Sequence, residues 1–478
     1  MKLLIELAFL IILLTGCQEK NKEKSDLSMN NDDKSKVSEY LNKLTEMDFS
    51  GSILIEHKGE IISEMGYGFS DRENNIKNTV ETVFDIGSIT KQFTAAAILK
   101  LEMTGKLSVN DKISKYFINV PDDKQQISLH HLLTHTSGLK PALGGDYEMI
   151  SPDDFINKAF QQKLLFPIGD SYEYSNVGYS LLAMIIEKVS KTTYEDYLYQ
   201  NLWKPAKMEQ TGYLIPKFRN EMIAVGYRRS NTWGRPNEKW NRAVSWHLKG
   251  NGGVLSTVKD MYKWHQALLN EDILSKEAKD KYYKPYVREG EGAPSFYGYG
   301  WAIYPTPRDT YLIAHNGGNN IFFADFWRYL TEGVTVIMMT NSYIPKSEVI
   351  NMNISGLLLN PDYEPVIGME EDDDSNGDGG AIDKIVERFF DTLQSEDKSL
   401  WEKFLLGNAA PEFLEMAPME MHLSMFEKFH KIAKSQQITD VSSDDGEVIV
   451  KLTGGKSLII TIDQYGKDKF GIAGIMVE

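Results

Sequence analysis

The sequence predicts an α/β chain of the α+β kind: an antiparallel sheet with helices packed on it, then a second, smaller α+β module. Three observations carry this. β-Rich runs within residues 51–71 and 297–340 enclose a long stretch with helical patterning. The later runs (YGYGWAIY, YLIAH, NIFFADFWRYL, GVTVIMMTN) follow one another through Gly/Asn turns, as adjacent antiparallel strands do. A boundary segment, 361–380, holds Pro361, Pro365 and the consecutive acids Glu370 to Asp374, and residues 381–478 follow it.

The elements can be justified in order. Residues 51–71, GSILIEHKGEIISEMGYGFSD, read as a hairpin with Lys58-Gly59 at its turn. Residues 88–107, SITKQFTAAAILKLEMTGKL, carry apolar side chains at Phe93, Ala96, Ala97, Leu99 and Leu101, which suits a largely buried helix, and Gly105 suits its C-terminal cap. The stretch 128–208 is mostly helical with loops. Thr257 and Asp260 have capping-box spacing at the head of another helix, with Asp in place of the usual Glu. In the terminal module, amphipathic helical patterns (IDKIVERFFDTL, FEKFHKIAK) precede three strand-like runs (GEVIVKL, KSLIITID, KFGIAGIMV).

Composition excludes several classes. Hydrophobic residues make up 42% and charged residues 25% of the 478, which is globular composition. A chain of this length buries a substantial core without disulfide staples. Its single cysteine, Cys17, rules out a disulfide framework and a cysteine-based zinc cluster. With 52 Lys+Arg against 68 Asp+Glu the net charge is −16, which argues against binding nucleic acid, since phosphate backbones need clustered cations. No segment beyond the N-terminal stretch is apolar and long enough to span a bilayer.

Residues 1–16, MKLLIELAFLIILLTG, have a short positive start and an apolar run of signal-peptide length, with Glu6 an awkward charge within it. Leu14-Thr15-Gly16-Cys17 resembles the bacterial lipobox, which makes Cys17 the expected lipid-bearing residue of the mature chain. An ordinary secretory signal with a chance cysteine is the alternative. The polar residues 17–35 then read as a flexible tether. The expected organisation is a signal peptide (1–16), tether (17–35), main domain (36–360), acidic linker (361–380) and small C-terminal domain (381–478), with the protein anchored to a membrane by lipid rather than spanning it.

Three features carry chemistry. Ser88-Ile89-Thr90-Lys91 places a serine at a helix start, where unpaired N–H groups favour negative charge, and a lysine one turn on, within reach of the hydroxyl. A serine needs a base to become a nucleophile, and a lysine serves only if burial or nearby cations lower its pKa. Alone, the tetrapeptide reads as an N-cap serine beside a surface lysine. Tyr174-Ser175-Asn176 offers a phenol that can move a proton and an amide that can hold a carbonyl. His315-Asn316-Gly317-Gly318 ends a strand with glycines that let a substrate approach, and the Gly318 N–H could meet a developing oxyanion. Taken singly, these two read as a polar loop and a hairpin turn.

The order and spacing of the three resemble the serine β-lactamase and penicillin-binding-protein superfamily, for which S-x-x-K and K-T-G are signatures. The Tyr-x-Asn form points to its class C β-lactamase and D-alanyl-D-alanine carboxypeptidase branch, which also holds esterases. Phe84-Asp85-Ile86-Gly87, Leu132-Leu133-Thr134-His135-Thr136-Ser137-Gly138-Leu139, Gly252-Gly253-Val254 and Tyr299-Gly300-Trp301 support it, and the likeness covers residues 37–358. It implies a five-stranded antiparallel sheet flanked by helices, with an all-helical insertion that carries Tyr174 and Asn176. It also implies roles: Ser88 as nucleophile, Lys91 as general base, Tyr174 as proton relay, Asn176 as carbonyl holder, and the N–H groups of Ser88 and Gly318 as oxyanion hole. One departure stands out. His315 occupies the position of the K-T-G lysine, and a histidine is mostly neutral near pH 7. Pairing with a substrate carboxylate is therefore in doubt.

Other features invite less. His130, His131 and His135 would need a helical i, i+4 pair together with a carboxylate to hold a metal, and their Leu-Leu spacing suits structural packing. Asp372-x-Asp374-x-Asn376-Gly377-Asp378 resembles the front of a calcium loop, but Asp383 stands where the closing glutamate belongs, so a solvated linker is expected. Trp233, Trp240, Trp246 and Trp264 could form a sugar-binding wall, with core packing the expected outcome.

The expected protein is a cofactor-free, metal-free serine hydrolase of the cell envelope, periplasmic or surface-exposed. It acts through an acyl-enzyme on small-molecule or peptide substrates: D-amino-acid peptides or amides of the cell wall, or small esters. The alternatives are a β-lactamase and a non-catalytic penicillin-binding-like lipoprotein.

Overall fold

A computed structural model describes residues 31–46, 49–228, 231–240, 243–290, 293–344, 347 and 349–365. Of the C-terminal part it describes 385, 388–390, 392–393, 395, 397–409, 419–434, 438–444, 447–452, 457–466 and 469–477. The expected signal peptide, Cys17 and the acidic run Glu370 to Asp374 lie outside the described residues. The chain divides into two compact units between Val366 and Ile367.

The first unit opens with helix α1, Asn31–Glu46. Val37, Tyr40, Leu41 and Leu44 lie at helical spacing and are buried. The stretch expected to be tether therefore becomes helix at Asn31, ahead of this buried stripe. Strands β1, Gly51–His57, and β2, Glu60–Tyr67, form the expected hairpin. Lys58 and Gly59 both have positive φ at the turn. Later in the chain come β3, Val287–Arg288; β4, Phe296–Tyr297; β5, Ala302–Pro305; β6, Tyr311–Gly318; β7, Phe323–Tyr329; and β8, Val334–Thr340. They make one antiparallel sheet in the order β2-β1-β8-β7-β6-β5-β4-β3. Five strands of seven or eight residues form the expected sheet, and three short ones extend it beyond β6.

All of β1 is buried because both sheet faces are covered. Ile53 and Ile55 face a core shared with α1 and with a helix at Ile350–Leu359. Leu54 faces the opposite core, built around α2, Thr90–Met103. Thr90 through Leu99 are all buried, so α2 runs through the domain rather than along its surface. Gly105, with φ +68°, takes the left-handed position that ends it. Trp264 packs on Phe93, and Trp240 on Tyr213. Trp246 is buried too, while Trp233 sits partly buried against Tyr147 and Phe322, so the four are packing residues.

The helix Val258–Leu269 has half of the expected capping box. Thr257 accepts the Asp260 N–H, but the Asp260 carboxylate goes elsewhere, accepting from the Gln210 N–H (2.6 Å) and the Thr211 hydroxyl (3.0 Å).

The second unit has helices at Lys398–Asn408 and Met419–Ala433 and a four-stranded antiparallel meander. Three strands were expected. The additional one, Ile438–Asp444, is an edge strand with the polar sequence ITDVSSD, which lacks apolar alternation. Phe389, Trp401, Leu405, Phe426, Val450 and Ile460 belong to its core. No described helix is long and apolar enough to cross a membrane.

Candidate active site

Ser88 lies where a buried two-stranded pairing, Phe84-Asp85 with Leu255-Ser256, releases the chain into a short turn, Gly87–Ile89, and then α2. It is the one partly exposed residue between Thr82 and Leu99. Gly87 takes φ +49°, and a Cβ there would lie 2.5 Å from the Gly318 nitrogen. A Cβ on Gly317 would come under 3.0 Å of Ile86 O and Ser88 N. Glycine at both positions therefore lets β6 run against the serine turn, with the Gly318 nitrogen close to Gly87 and the Ser88 nitrogen close to Gly317.

Lys91 is fully buried. Its Nζ is 3.0 Å from Ser88 Oγ, 2.8 Å from Asn176 Oδ1 and 2.8 Å from the Asn251 carbonyl oxygen. It also sits 4.5 Å from the centre of the Tyr174 ring. Burial pushes its pKa well below the usual lysine range, and Asp146 opposes this only in part. A neutral amine has two N–H bonds and one lone pair. The two carbonyl oxygens take the N–H bonds, which leaves the lone pair for the Ser88 hydroxyl.

Tyr174, Ser175 and Asn176 lead into the helix Asn176–Ser190, with Ser175 as N-cap. The loop at 134–141 clamps them. His135 Nδ1 accepts the Ser175 N–H at 2.9 Å, and the carbonyls of His135 and Pro141 accept from Glu173 and Asn176. His135 is thus structural. His130 bonds the Tyr299 hydroxyl, and His131 caps a short helix through Ser128. The three histidines serve three different partners. The Tyr174 hydroxyl is buried and has no hydrogen-bond partner. Burial raises its pKa, while the neighbouring Ser88 hydroxyl works in the other direction.

His315 is buried, with Nδ1 2.6 Å from the Asn316 carbonyl and Nε2 2.9 Å from the Tyr297 hydroxyl. Nδ1 must donate to a carbonyl, so Nε2 accepts from Tyr297. Burial, reinforced by Lys91, lowers its pKa to about 3. Its two hydrogen bonds, one donated and one accepted, suit the neutral ring.

These side chains border a cleft of about 440 Å³, with Ser88, Tyr174, His315 and Gly318 in its wall. Of the seven residues expected to act, Ser88, Tyr174, His315, Gly317 and Gly318 line it, and Lys91 and Asn176 join Ser88 through the Lys91 amine. Sequence reasoning missed Tyr297, Glu289 and the Asn251 carbonyl. The Gly250–Gly253 run hinted at the last, since both glycines have positive φ and turn that carbonyl inward.

Asp85 was also missed. Its Oδ1 accepts the Gly87 N–H at 2.8 Å and its Oδ2 accepts from Asn319 Nδ2 at 3.3 Å. Asn319 Oδ1 in turn takes the N–H groups of Ile321 and Phe322. One carboxyl group thereby ties the serine turn to the turn after β6. Burial raises its pKa to about 7, against the pull of the Gly87 N–H. The folded value lies above the unfolded one, near 4. The stability Asp85 contributes is then complete below about pH 4 and is lost as pH rises towards 7. Melting temperatures of the native protein and Asp85→Asn, compared between pH 5 and pH 8, should diverge by about 2–4 °C per kcal/mol, with the native protein losing ground at pH 8. Parallel curves would remove Asp85 from the pH dependence.

The β-lactamase family model matches residues 45–359. PbpX of Bacillus subtilis (strain 168) is 34% identical over 289 residues, which span 60% of this chain and 70% of PbpX. Penicillin-binding protein 4* of the same organism is 30% identical over 310 residues, spanning 61% of this chain and 68% of that protein. The crystal structure of a penicillin-binding protein from Bacillus halodurans superposes with a TM-score of 0.58 at 25% identity, covering 66% of this chain and 98% of the other. With the model matching more than half of its length, this chain belongs to the β-lactamase family, the serine hydrolases of the penicillin-binding-protein fold.

Proposed function

We propose that the protein hydrolyses amides or esters through an acyl-enzyme on Ser88, with D-amino-acid peptides and related amides of the cell wall ahead of small esters. The observation that carries this is the Lys91 Nζ at 3.0 Å from Ser88 Oγ, with its other two bonds committed to carbonyl oxygens. Ser88 Oγ attacks the scissile carbonyl carbon as its proton passes to Lys91. The carbonyl oxygen becomes an oxyanion held by the N–H groups of Ser88 and Gly318. Asn176 Nδ2 donates to a substrate carbonyl. Tyr174 hands its proton to the leaving group and is reprotonated through Lys91. Water then attacks the acyl-enzyme by the same route reversed, which frees the acid and restores Ser88.

Neutral His315 supports amides and esters over β-lactams, since it offers no charge to a β-lactam carboxylate. The assembled Ser88, Lys91, Tyr174 and Asn176 tell against a non-catalytic binder. Lipid attachment at Cys17 would hold the enzyme at the cell envelope, on the periplasmic or outer side.

Intact-mass analysis of the chain begun after Cys17 tests the reading. A fluorophosphonate should add to Ser88 in the native protein and leave Ser88→Ala unlabelled. Absence of the adduct in both would leave the non-catalytic binder. A penicillin adduct that forms and then disappears would make the protein a β-lactamase instead.

A further inference from the structure

The cleft wall holds two carboxylates, Glu289 and Asp325, and among the residues lining it there is no lysine or arginine. Asp325 is buried, where it accepts from the Trp327 indole at 2.9 Å. Glu289 is different. It is partly exposed, and its Oε1 accepts from the Tyr172 hydroxyl at 3.0 Å, a neutral donor, with no cation paired to it among the described residues. Arg288, next in sequence, stacks on the Phe296 ring, 4.7 Å from its centre. The same wall holds the aromatic side chains of Tyr174, Tyr297, Tyr304 and Trp327. Aromatic faces and a carboxylate together are what an organic cation seeks.

We propose that the cleft selects substrates carrying an ammonium group close to the scissile ester or amide, with Glu289 as the residue that holds the cation. This rests on the serine hydrolase reading above and names its substrate class. A free carboxylate beside the scissile bond would face Glu289 with no cation to offset it. An ammonium on either the acyl or the leaving side would gain the charge and the aromatic wall together.

The test uses matched substrates that differ only in charge. On the acyl side, D-alanyl-p-nitroanilide, with a free amine, is compared with its N-acetyl and N-succinyl forms. On the leaving side, butyrylthiocholine is compared with its uncharged 3,3-dimethylbutyl isostere. The native protein should favour the cationic member of at least one pair by about three- to tenfold in kcat/KM, mostly through KM, with the gap narrowing at high salt. Glu289→Gln should erase that ratio, and Glu289→Lys should reverse it towards the N-succinyl substrate. Tyr172→Phe removes the phenol but keeps the carboxylate, so the preference should survive in it. This separates a charge effect from a packing effect. Hydrolysis of neutral and cationic members at equal rates, or a preference that persists in Glu289→Gln, overturns the inference and leaves the hydrolase standing. No Ser88-dependent turnover of any member overturns both.

Discussion

Replacing Lys91 by methionine is expected to lower kcat for esters and amides by about 100- to 10,000-fold, the range for loss of a positioned general base. Methionine keeps most of the aliphatic stem and removes only the amine. The Ser88 hydroxyl then loses its proton acceptor at 3.0 Å. Asn176 Oδ1 and the Asn251 carbonyl lose their donor as well, which should cost about 1–3 kcal/mol of stability for each, the range for a buried acceptor left unpaired. Removal of a buried amine that resists protonation offsets part of that cost, so the melting temperature should move little beside the rate. Lys91→Arg discriminates between base and cation. A guanidinium stays protonated and has no lone pair to offer. If Lys91 served only as a positive charge, arginine would rescue; as a base, it cannot. The rate profile of the native protein adds a second check. Activity should rise with pH as the Lys91 ammonium loses its proton, with this acid limb well below the ordinary lysine range. A limb near 10 in the native protein, or activity retained in Lys91→Arg, would refute the assignment.

The parts of this site that were legible in the sequence are those in which chemistry and spacing coincide locally. Ser88 and Lys91 sit one helical turn apart, so a tetrapeptide holds both reacting groups. Tyr174 and Asn176 flank a serine N-cap, and His315 to Gly318 end a strand, so each keeps a local signature. What brings the three together is not local. It is the sheet order that places β6 beside the serine turn, and the loop at 134–141 that clamps residues 173–176. The Asn251 contribution was invisible because a backbone carbonyl has no side-chain signature, and only the turn around it selects that residue. Asp85 and Asn319 meet across 234 residues, a separation at which no periodicity speaks. The Asp260 carboxylate shows the same competition in reverse. Its spacing suited a reciprocal cap, but the Gln210 N–H and the Thr211 hydroxyl supplied a buried, long-range alternative. The fold was read well where apolar patterning was strong, as in α2 and β8, and poorly where it was weak, as at the polar edge strand Ile438–Asp444.

Gly317→Ala is expected to be nearly as damaging as loss of the base, though it adds only a methyl group. The new Cβ would come under 3.0 Å of Ile86 O, Ser88 N and Gly87 C. All three are backbone atoms in a buried turn, so no side chain can swing aside to make room. Relief requires β6 to retreat from the serine turn. That movement parts the Ser88 and Gly318 N–H groups while leaving Ser88 and Lys91, on one helical turn, in register. Loss of one oxyanion donor costs about 100- to 1,000-fold in kcat, and overpacking of this kind costs about 1–3 kcal/mol of stability. Gly145→Ala is the matched control, since a Cβ there meets nothing within 4 Å and its φ is not in the left-handed region. It should leave both rate and melting temperature near the native values. The variant also separates two parts of the mechanism. A fluorophosphonate adduct places an oxygen in the same hole, so its rate of formation on Gly317→Ala should fall with kcat, while the acid limb set by Lys91 stays where it was. A Gly317→Ala protein that folds and keeps its full rate would mean that the Gly318 N–H does not serve the oxyanion, and the second donor would have to come from another residue in the wall of the cleft.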